Sequence, residues 1–239
     1  MMMLVPAVLV ASGLASALMP VTATACPPRH TEIRVSEDIL PPLIDDSKTS
    51  AQLKAMDIRN ALTNDPRFRE TVGLTAATIS VSTEIRTRSS GSWKRASCVS
   101  PQLISIKIST APNVYLDSDH GPCLQQVAMD HEMGHVEIDR NLIDNFVPIF
   151  RARLSALADA IGSVRSASDD DSSAIREQIE GKVDQTLSFI NDSMALERAL
   201  KHQEHDSPDE YRRVSMACST VTVNQSSTAP RSRSQIGDR

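Results

Sequence analysis

From Leu124 to Leu142 the residues Leu124, Val127, Ala128, His131, His135, Ile138 and Leu142 recur at intervals of three and four, the spacing of one face of an α-helix. Within that face lies His131-Glu132-Met133-Gly134-His135, an H-E-x-x-H pattern. Side chains four apart on a helix stack above one another, so both imidazoles can point at one ion. Glu132 lies about a third of a turn away, within reach of a water on that ion. This donor set is suited to Zn2+, one ion per chain. The ion would lower the pKa of its water and polarise a scissile carbonyl, while Glu132 would take the water's proton and pass it to the leaving amine. The plain structural alternative is a pair of buried, hydrogen-bonded histidines. The conjunction of both His, the intervening Glu and the helical context favours the metal.

A catalytic zinc needs a third protein ligand. The extended H-E-x-x-H-x-x-G-x-x-H pattern is absent, because Ile138 stands at the Gly position and Asn141-Leu142 follow Arg140. His205 is the first choice, at the junction of two expected helices, with Asp206 and Glu210 as alternatives and His120 as a further option. Asp139, one turn beyond His135, suits a carboxylate that accepts the other ring N–H of a ligand histidine. Tyr211 could donate to a developing oxyanion, against ordinary packing at a helix end.

Residues 4 to 19 form an uncharged run of small and aliphatic residues, followed by Ala23-Thr24-Ala25, an A-x-A cleavage pattern. This reads as a secretory signal peptide cleaved after Ala25, with lipid attachment at Cys26 as the lesser option. The expected location is secreted or periplasmic, without stable membrane insertion after cleavage. All four cysteines, Cys26, Cys98, Cys123 and Cys218, lie beyond the cleavage point, so two disulfides are expected in an oxidising compartment. The favoured pairing is Cys98 with Cys123 and Cys26 with Cys218.

The chain of 239 residues, 40% hydrophobic, carries a formal charge of -5 and only seven aromatic residues. It can build a core, and it offers neither the charge nor the stacking platform of a nucleic-acid binder. Residues 31–117 read as β-rich: a strand at TEIRV, a helical AQLKAMDIRNAL stretch after Asp46-Ser47, a strand from Leu74 to Arg88, a turn at Ser89 to Ser92, a strand at 102–109, and a short edge piece at NVYL. These make a small antiparallel sheet. Residues 121–218 read as helical, with the H-E-x-x-H helix and a second helix from Phe146 to Ile161 after Pro148 and a stop at Gly162. A polar loop at 166–173 follows, then a helix from about Ala174 to Lys201. In that helix Ile175, Ile179, Val183, Leu187, Ile190, Met194, Leu196 and Leu200 form the apolar stripe. Ser207-Pro208-Asp209-Glu210 is a capping box that opens a last short helix. Residues 219–239 read as a disordered tail.

In this order of features, with Cys98 before the last strands, the H-E-x-x-H helix, and Asp206-Ser207-Pro208-Asp209-Glu210-Tyr211 through Cys218 at the close, the chain resembles the zincin class of metallopeptidases. More specifically, it is similar to a domain-of-unknown-function family of predicted secreted bacterial zinc-dependent proteases. The resemblance spans about residues 31 to 218. It implies His131 and His135 as ligands and Glu132 as catalytic base. The family's late T-x-H-G segment is replaced here by Glu210-Tyr211. The expectation is therefore an α+β, zincin-like domain over residues 26–218, with a small N-terminal sheet packed on the H-E-x-x-H helix and a helical C-terminal part. Its activity would be the hydrolysis of peptide bonds in peptide or protein substrates, with Val114 to Leu116 as the substrate-binding edge strand. A secreted helical interaction module, with a structural metal or none, is the alternative. The oligomeric state is left open.

Overall fold

The computed structural model describes residues 26–56, 71–91 and 97–218. The signal segment, the second half of the 51–62 helical stretch, Ser92 of the expected turn and the C-terminal tail lie outside them, and Ser89 and Ser90 of that turn are the end of a strand instead. Strands β1 (Glu32–Ile39), β2 (Leu43–Lys48), β3 (Gly73–Ala76), β4 (Ile79–Ser90), β5 (Ser97–Thr110), β6 (Asn113–Asp117) and β7 (Val164–Ser166) alternate with helices α1 (Ser50–Met56), α2 (Pro122–Ile161), α3 (Asp169–His205) and α4 (Pro208–Ala217). The protein is α+β.

The strands form two small sheets rather than one antiparallel sheet. In the first, β5 is flanked by β4 in antiparallel pairing and by β1 in parallel pairing, with β7 added antiparallel at residues 97–99. In the second, β6 is central, parallel to β2 and antiparallel to β3. Alternation of apolar and polar residues identifies a strand but carries no information on strand direction, and both parallel pairs join segments far apart in sequence. NVYL is therefore a middle strand. With both edges paired it has none to offer a substrate, and the expectation for Val114 to Leu116 is corrected. The strand β2 has no clear signature in the sequence, since Leu43 and Ile44 are exposed and the segment is otherwise polar.

Ile104, Ile106 and Ile108 on β5 are fully buried and pack on Leu142, Ile143, Phe146, Phe150 and Leu154 of α2 and on Val183, Leu187, Ile190 and Met194 of α3. This cluster explains why α2 is one helix through Pro148, where a break was expected. Pro148 and Asp144, whose carbonyl loses its usual N–H partner, both lie away from the buried face, which is continuous on either side of the proline. Gly162 ends the helix at φ 57° and returns its N–H to the Ala158 carbonyl at 2.9 Å, as expected of a glycine stop. After β7, Ser168 caps α3 by accepting from the Asp171 N–H at 3.1 Å, and Asp169, Asp170 and Asp171 occupy the first turn, where carboxylates favour the helix dipole. Leu196 and Leu200 do not belong to the stripe. They are 64% and 57% exposed, because the inward face continues from Met194 in steps of three and four through Arg198, His202 and His205.

Both disulfides form, with a different pairing from the one expected: Cys26–Cys98 and Cys123–Cys218, with Cα atoms 5.7 and 6.0 Å apart. The parallel register of β1 on β5 places Glu32 opposite Leu103, so the chain upstream of β1 runs beside the start of β5, and Cys26 meets Cys98. Cys123, at the start of α2, is left to join Cys218 at the end of α4.

Candidate metal centre

His131 and His135 stand one turn apart on the buried side of α2, their rings 5.0 Å apart and nearly perpendicular at 88°. Since α3 runs back along α2, its last turns face them. His205 stacks on His131 at 4.5 Å and 12°, and His202 stacks on His135 at 4.8 Å and 11°. His131, His135 and His205 form a buried group that could hold a metal ion, with ligand atoms within 4.8 Å of one another.

The residue after His205 comes closer still. Asp206 Oδ1 lies 3.3 Å from His131 Nε2 and 3.0 Å from His135 Nε2, and its side chain is 8% exposed. These separations match the roughly 3.3 Å edge of a tetrahedron built on bonds of about 2.0–2.1 Å, the usual length for zinc with nitrogen or carboxylate oxygen. The stacking of His205 works against a shared ion with His131 as the rings stand. An imidazole binds metal in its own plane, and two nearly parallel, stacked planes do not meet at one point. In addition, His205 Nε2 lies 2.9 Å from the His131 carbonyl oxygen, a contact in which the ring donates. Asp206 is therefore the better placed third donor, and His205 lies over the site as a further one.

The outer contacts are dense. His131 Nδ1 faces Glu210 Oε1 at 3.3 Å. Glu210 reaches it from the first turn of α4, where only half of the expected capping box forms: Ser207 Oγ accepts from the Glu210 N–H at 3.3 Å, while the Glu210 carboxylate turns to His131 and Arg213 instead of the Ser207 N–H. Arg213 donates from Nε and Nη2 to the two oxygens of Glu210 at 2.7 and 2.6 Å, and this hydrogen bonding, above all, lowers the pKa of the Glu210 carboxyl to about 2. Burial opposes a charge on His131, but hydrogen bonding to Asp206 and the nearby Glu132 and Glu210 carboxylates outweigh it, and its pKa is raised. For His135 burial dominates and the pKa is lowered despite Asp206.

Asp139 makes no hydrogen bond to His135, contrary to the expectation. It accepts from His202 Nε2 at 2.8 Å and from Arg198 at 2.6 and 2.7 Å. Burial alone would raise the Asp139 pKa, but these partners hold it low. His120, a further ligand option in the sequence, is turned away onto buried Asp117 at 2.6 Å. Tyr211 lies with its ring 6.1 Å from that of His131. Glu132 is 6% exposed, and its backbone carbonyl accepts from Thr75 on β3 at 3.0 Å.

Two glycines make these approaches possible. A Cβ on Gly134 would stand 2.5 Å from His205 Cε1 and Nε2, and one on Gly73 would stand 2.8 Å from Glu132 Cγ and Oε1. Gly134 is thus the reason that α3 can lay an imidazole across the H-E-x-x-H turn. Gly73, Gly134, Arg198 and His202 were not among the residues singled out from the sequence. The signal for the last two is nonetheless present, since Arg198, His202 and His205 continue the inward period of α3.

A cleft of about 1010 Å3 opens beside the centre, between the ends of the two sheets and α3. It is lined by Leu74 to Thr78, Ser109 to Ala111, Arg198 and His202, and it reaches His135. Among the described residues no helix is long and apolar enough to cross a membrane. The two disulfides are consistent with an extracellular or periplasmic location. Compared with family models, curated proteins and solved structures, the chain matches none.

Proposed function

We propose that this protein is an exported zinc-dependent peptidase with a zincin-like site, in which His131, His135 and Asp206 or His205 hold one Zn2+ and Glu132 is the general base. The observation that carries this reading is the convergence of two imidazole Nε2 atoms on a single buried carboxylate oxygen at 3.3 and 3.0 Å. With a hydrogen on each Nε2 these contacts are two hydrogen bonds into Asp206, and with both lone pairs bare the three acceptors repel one another unless a metal cation sits among them. The donor set of imidazole and carboxylate suits zinc.

When bound, zinc supplies Lewis acidity, polarising a carbonyl and lowering the pKa of water toward neutrality. The remaining work falls to the chain. Glu132, next to His131 and packed against Gly73, takes a proton from the attacking water and delivers it to the leaving amine. The cleft beside His135 accommodates an extended peptide, with β3 rather than β6 as the strand nearest Glu132. Tyr211, whose ring lies on the His131 side, would stabilise negative charge on the substrate oxygen. Cleavage after Ala25 would place this machinery outside the cytoplasm, where Cys26–Cys98 and Cys123–Cys218 persist.

A second reading draws on the same cluster. With the His205 ring turned off His131 and its carbonyl, four protein donors, His131, His135, His205 and Asp206, would fill a tetrahedral sphere and leave no open position, as in a structural site. The module would then act through its helices. Glu132→Gln separates the two readings. Metal analysis of the purified chain should find one zinc, lost in His131→Ala and retained in Glu132→Gln, with peptide hydrolysis abolished in the latter. A folded wild type that takes up no zinc on dialysis against it overturns the metal, and zinc with no hydrolysis of any peptide library overturns the peptidase in favour of the structural site.

A further inference from the structure

We propose that Cys123–Cys218 is a redox latch: it holds α4 along the opening turns of α2, and only the oxidised chain keeps Asp206 and Glu210 in place at His131, so that the centre is incomplete until the protein has left a reducing compartment. The parts of this proposal that concern zinc and export rest on the reading above, whereas the fastening of α4 does not.

From Cys123 to His131 is eight residues, and from Glu210 to Cys218 is eight again. Two helical arms of about 12 Å each are thus joined at one end by the disulfide and at the other by the 3.3 Å contact of Glu210 Oε1 with His131 Nδ1. The arm on α2 belongs to a long helix seated in the core. The arm on α4 brings little burial of its own, since none of its described side chains is buried. It is a helix of ten residues, below the roughly 12–15 that persist alone in water. Asp206 and Ser207 are the whole joint between α3, which ends at His205, and α4, which begins at Pro208. The direction of the Asp206 side chain is therefore set from both sides, by α3 through its apolar stripe and by α4 through the disulfide.

In a reducing compartment the two thiols stay unjoined. Closing the latch takes two electrons and two protons from Cys123 and Cys218 and passes them to a disulfide carrier, whose own disulfide opens to a dithiol. The second disulfide has no such role. Cys26–Cys98 ties the chain ahead of β1 to the start of β5, beside Val99, which packs on Ile175 and Ile179 at the opposite end of α3 from His205. The same oxidation therefore does two separate things, fastening a sheet at one end of the molecule and completing a side-chain cluster at the other. Removing an outer partner such as Glu210 lowers metal affinity by about 10–100-fold.

The test is amide hydrogen exchange on the metal-free chain, with the apolar part of α2 from Leu142 to Leu154 as the internal reference. Protection over α4 is expected in the oxidised wild type. It should be lost when a dithiol reduces the chain and in the double variant Cys123→Ser/Cys218→Ser, while the reference stays protected, and it should return when the reduced wild type is reoxidised with oxidised glutathione. The double variant Cys26→Ser/Cys98→Ser should keep α4 protected. Zinc affinity, read by competition with a chelator, is expected to fall about 10–100-fold in Cys123→Ser/Cys218→Ser, which has no thiols there to bind the metal. An α4 as protected in that variant as in the wild type overturns the proposal, as does an unchanged zinc affinity. Loss of protection in the reference as well overturns it too, since the disulfide would then support the whole fold and not a latch. If the oxidised wild type takes up no zinc, the metal reading falls and exchange over α4 alone decides on the latch.

Discussion

The two halves of the α2–α3 hairpin share a helical period and an inward face but differ in everything else. In the half far from the site, Leu142, Ile143, Phe146, Phe150 and Leu154 face Val183, Leu187, Ile190 and Met194 across a wholly apolar interface. In the near half, the same inward faces carry His131, Glu132, His135 and Asp139 on α2, opposite Arg198, His202 and His205 on α3 and Asp206 just beyond it. Asp139 at 2% and His135 at 4% are hardly more exposed than Phe150 at 0%. The apolar half needs only volume and complementarity, which many side chains supply. The polar half needs named partners, since a buried polar group left unpaired costs about 1–3 kcal/mol. Stability is thus concentrated at one end of the hairpin and chemistry at the other, with Cys123–Cys218 and the capped α4 closing the polar end.

Truncation in the apolar half should have the largest effect on folding. Phe150→Ala is expected to cost about 3–5 kcal/mol in denaturant unfolding and to leave zinc stoichiometry of the folded fraction unchanged; a smaller loss with altered metal content would mean that the halves are not separable. Zinc should act on the other end. At about a thousandfold excess over its Kd it should stabilise the wild type by about 4 kcal/mol, seen as a rise in Tm that vanishes in His131→Ala and shrinks sharply in Asp206→Asn. An undiminished rise in Asp206→Asn would return the third-ligand role to His205.

Glycine substitutions sharpen the contrast within helices. Gly134→Ala forces a methyl into the space of the His205 ring, 2.5 Å away, and is expected to destabilise by about 1–3 kcal/mol with weakened zinc binding. Ser207→Ala, which removes the α4 cap, should cost about 1 kcal/mol and loosen the Glu210 contact with His131. The smallest effect has the opposite sign. Gly181→Ala on α3 meets nothing within 4 Å and should stabilise by about 0.5–1 kcal/mol, with metal binding untouched.

Much of the polar end is legible in the amino-acid sequence. The helical face containing His131 and His135, the Ser207 cap with Pro208 behind it, the stop at Gly162 and the acidic opening of α3 all follow from residues within about one helical turn of each other. His205, Asp206 and Glu210 stand out as a cluster, but their ranking is not legible, because the C-terminal turn of α3 decides which of them points at the motif. Asp139 reads as a carboxylate bonded to a ligand ring, whereas it sits one residue further out with His202 between. That intermediary is hidden because Leu196 and Leu200 look like the continuation of the apolar stripe.

The amino-acid sequence by itself determined several local features: the helical or strand character of most stretches other than β2, the stop at Gly162, the start of α4 at Ser207, and that two imidazoles and a glutamate share one turn. These depend on contacts within a few residues, where backbone geometry permits few outcomes. Only the tertiary structure decided the parallel seating of β1 on β5, hence Cys26 with Cys98, the passage of α2 through Pro148, and the place of Asp206 between His131 and His135. Each depends on partners tens of residues away, and local period and propensity carry no record of which distant surface a buried face will meet.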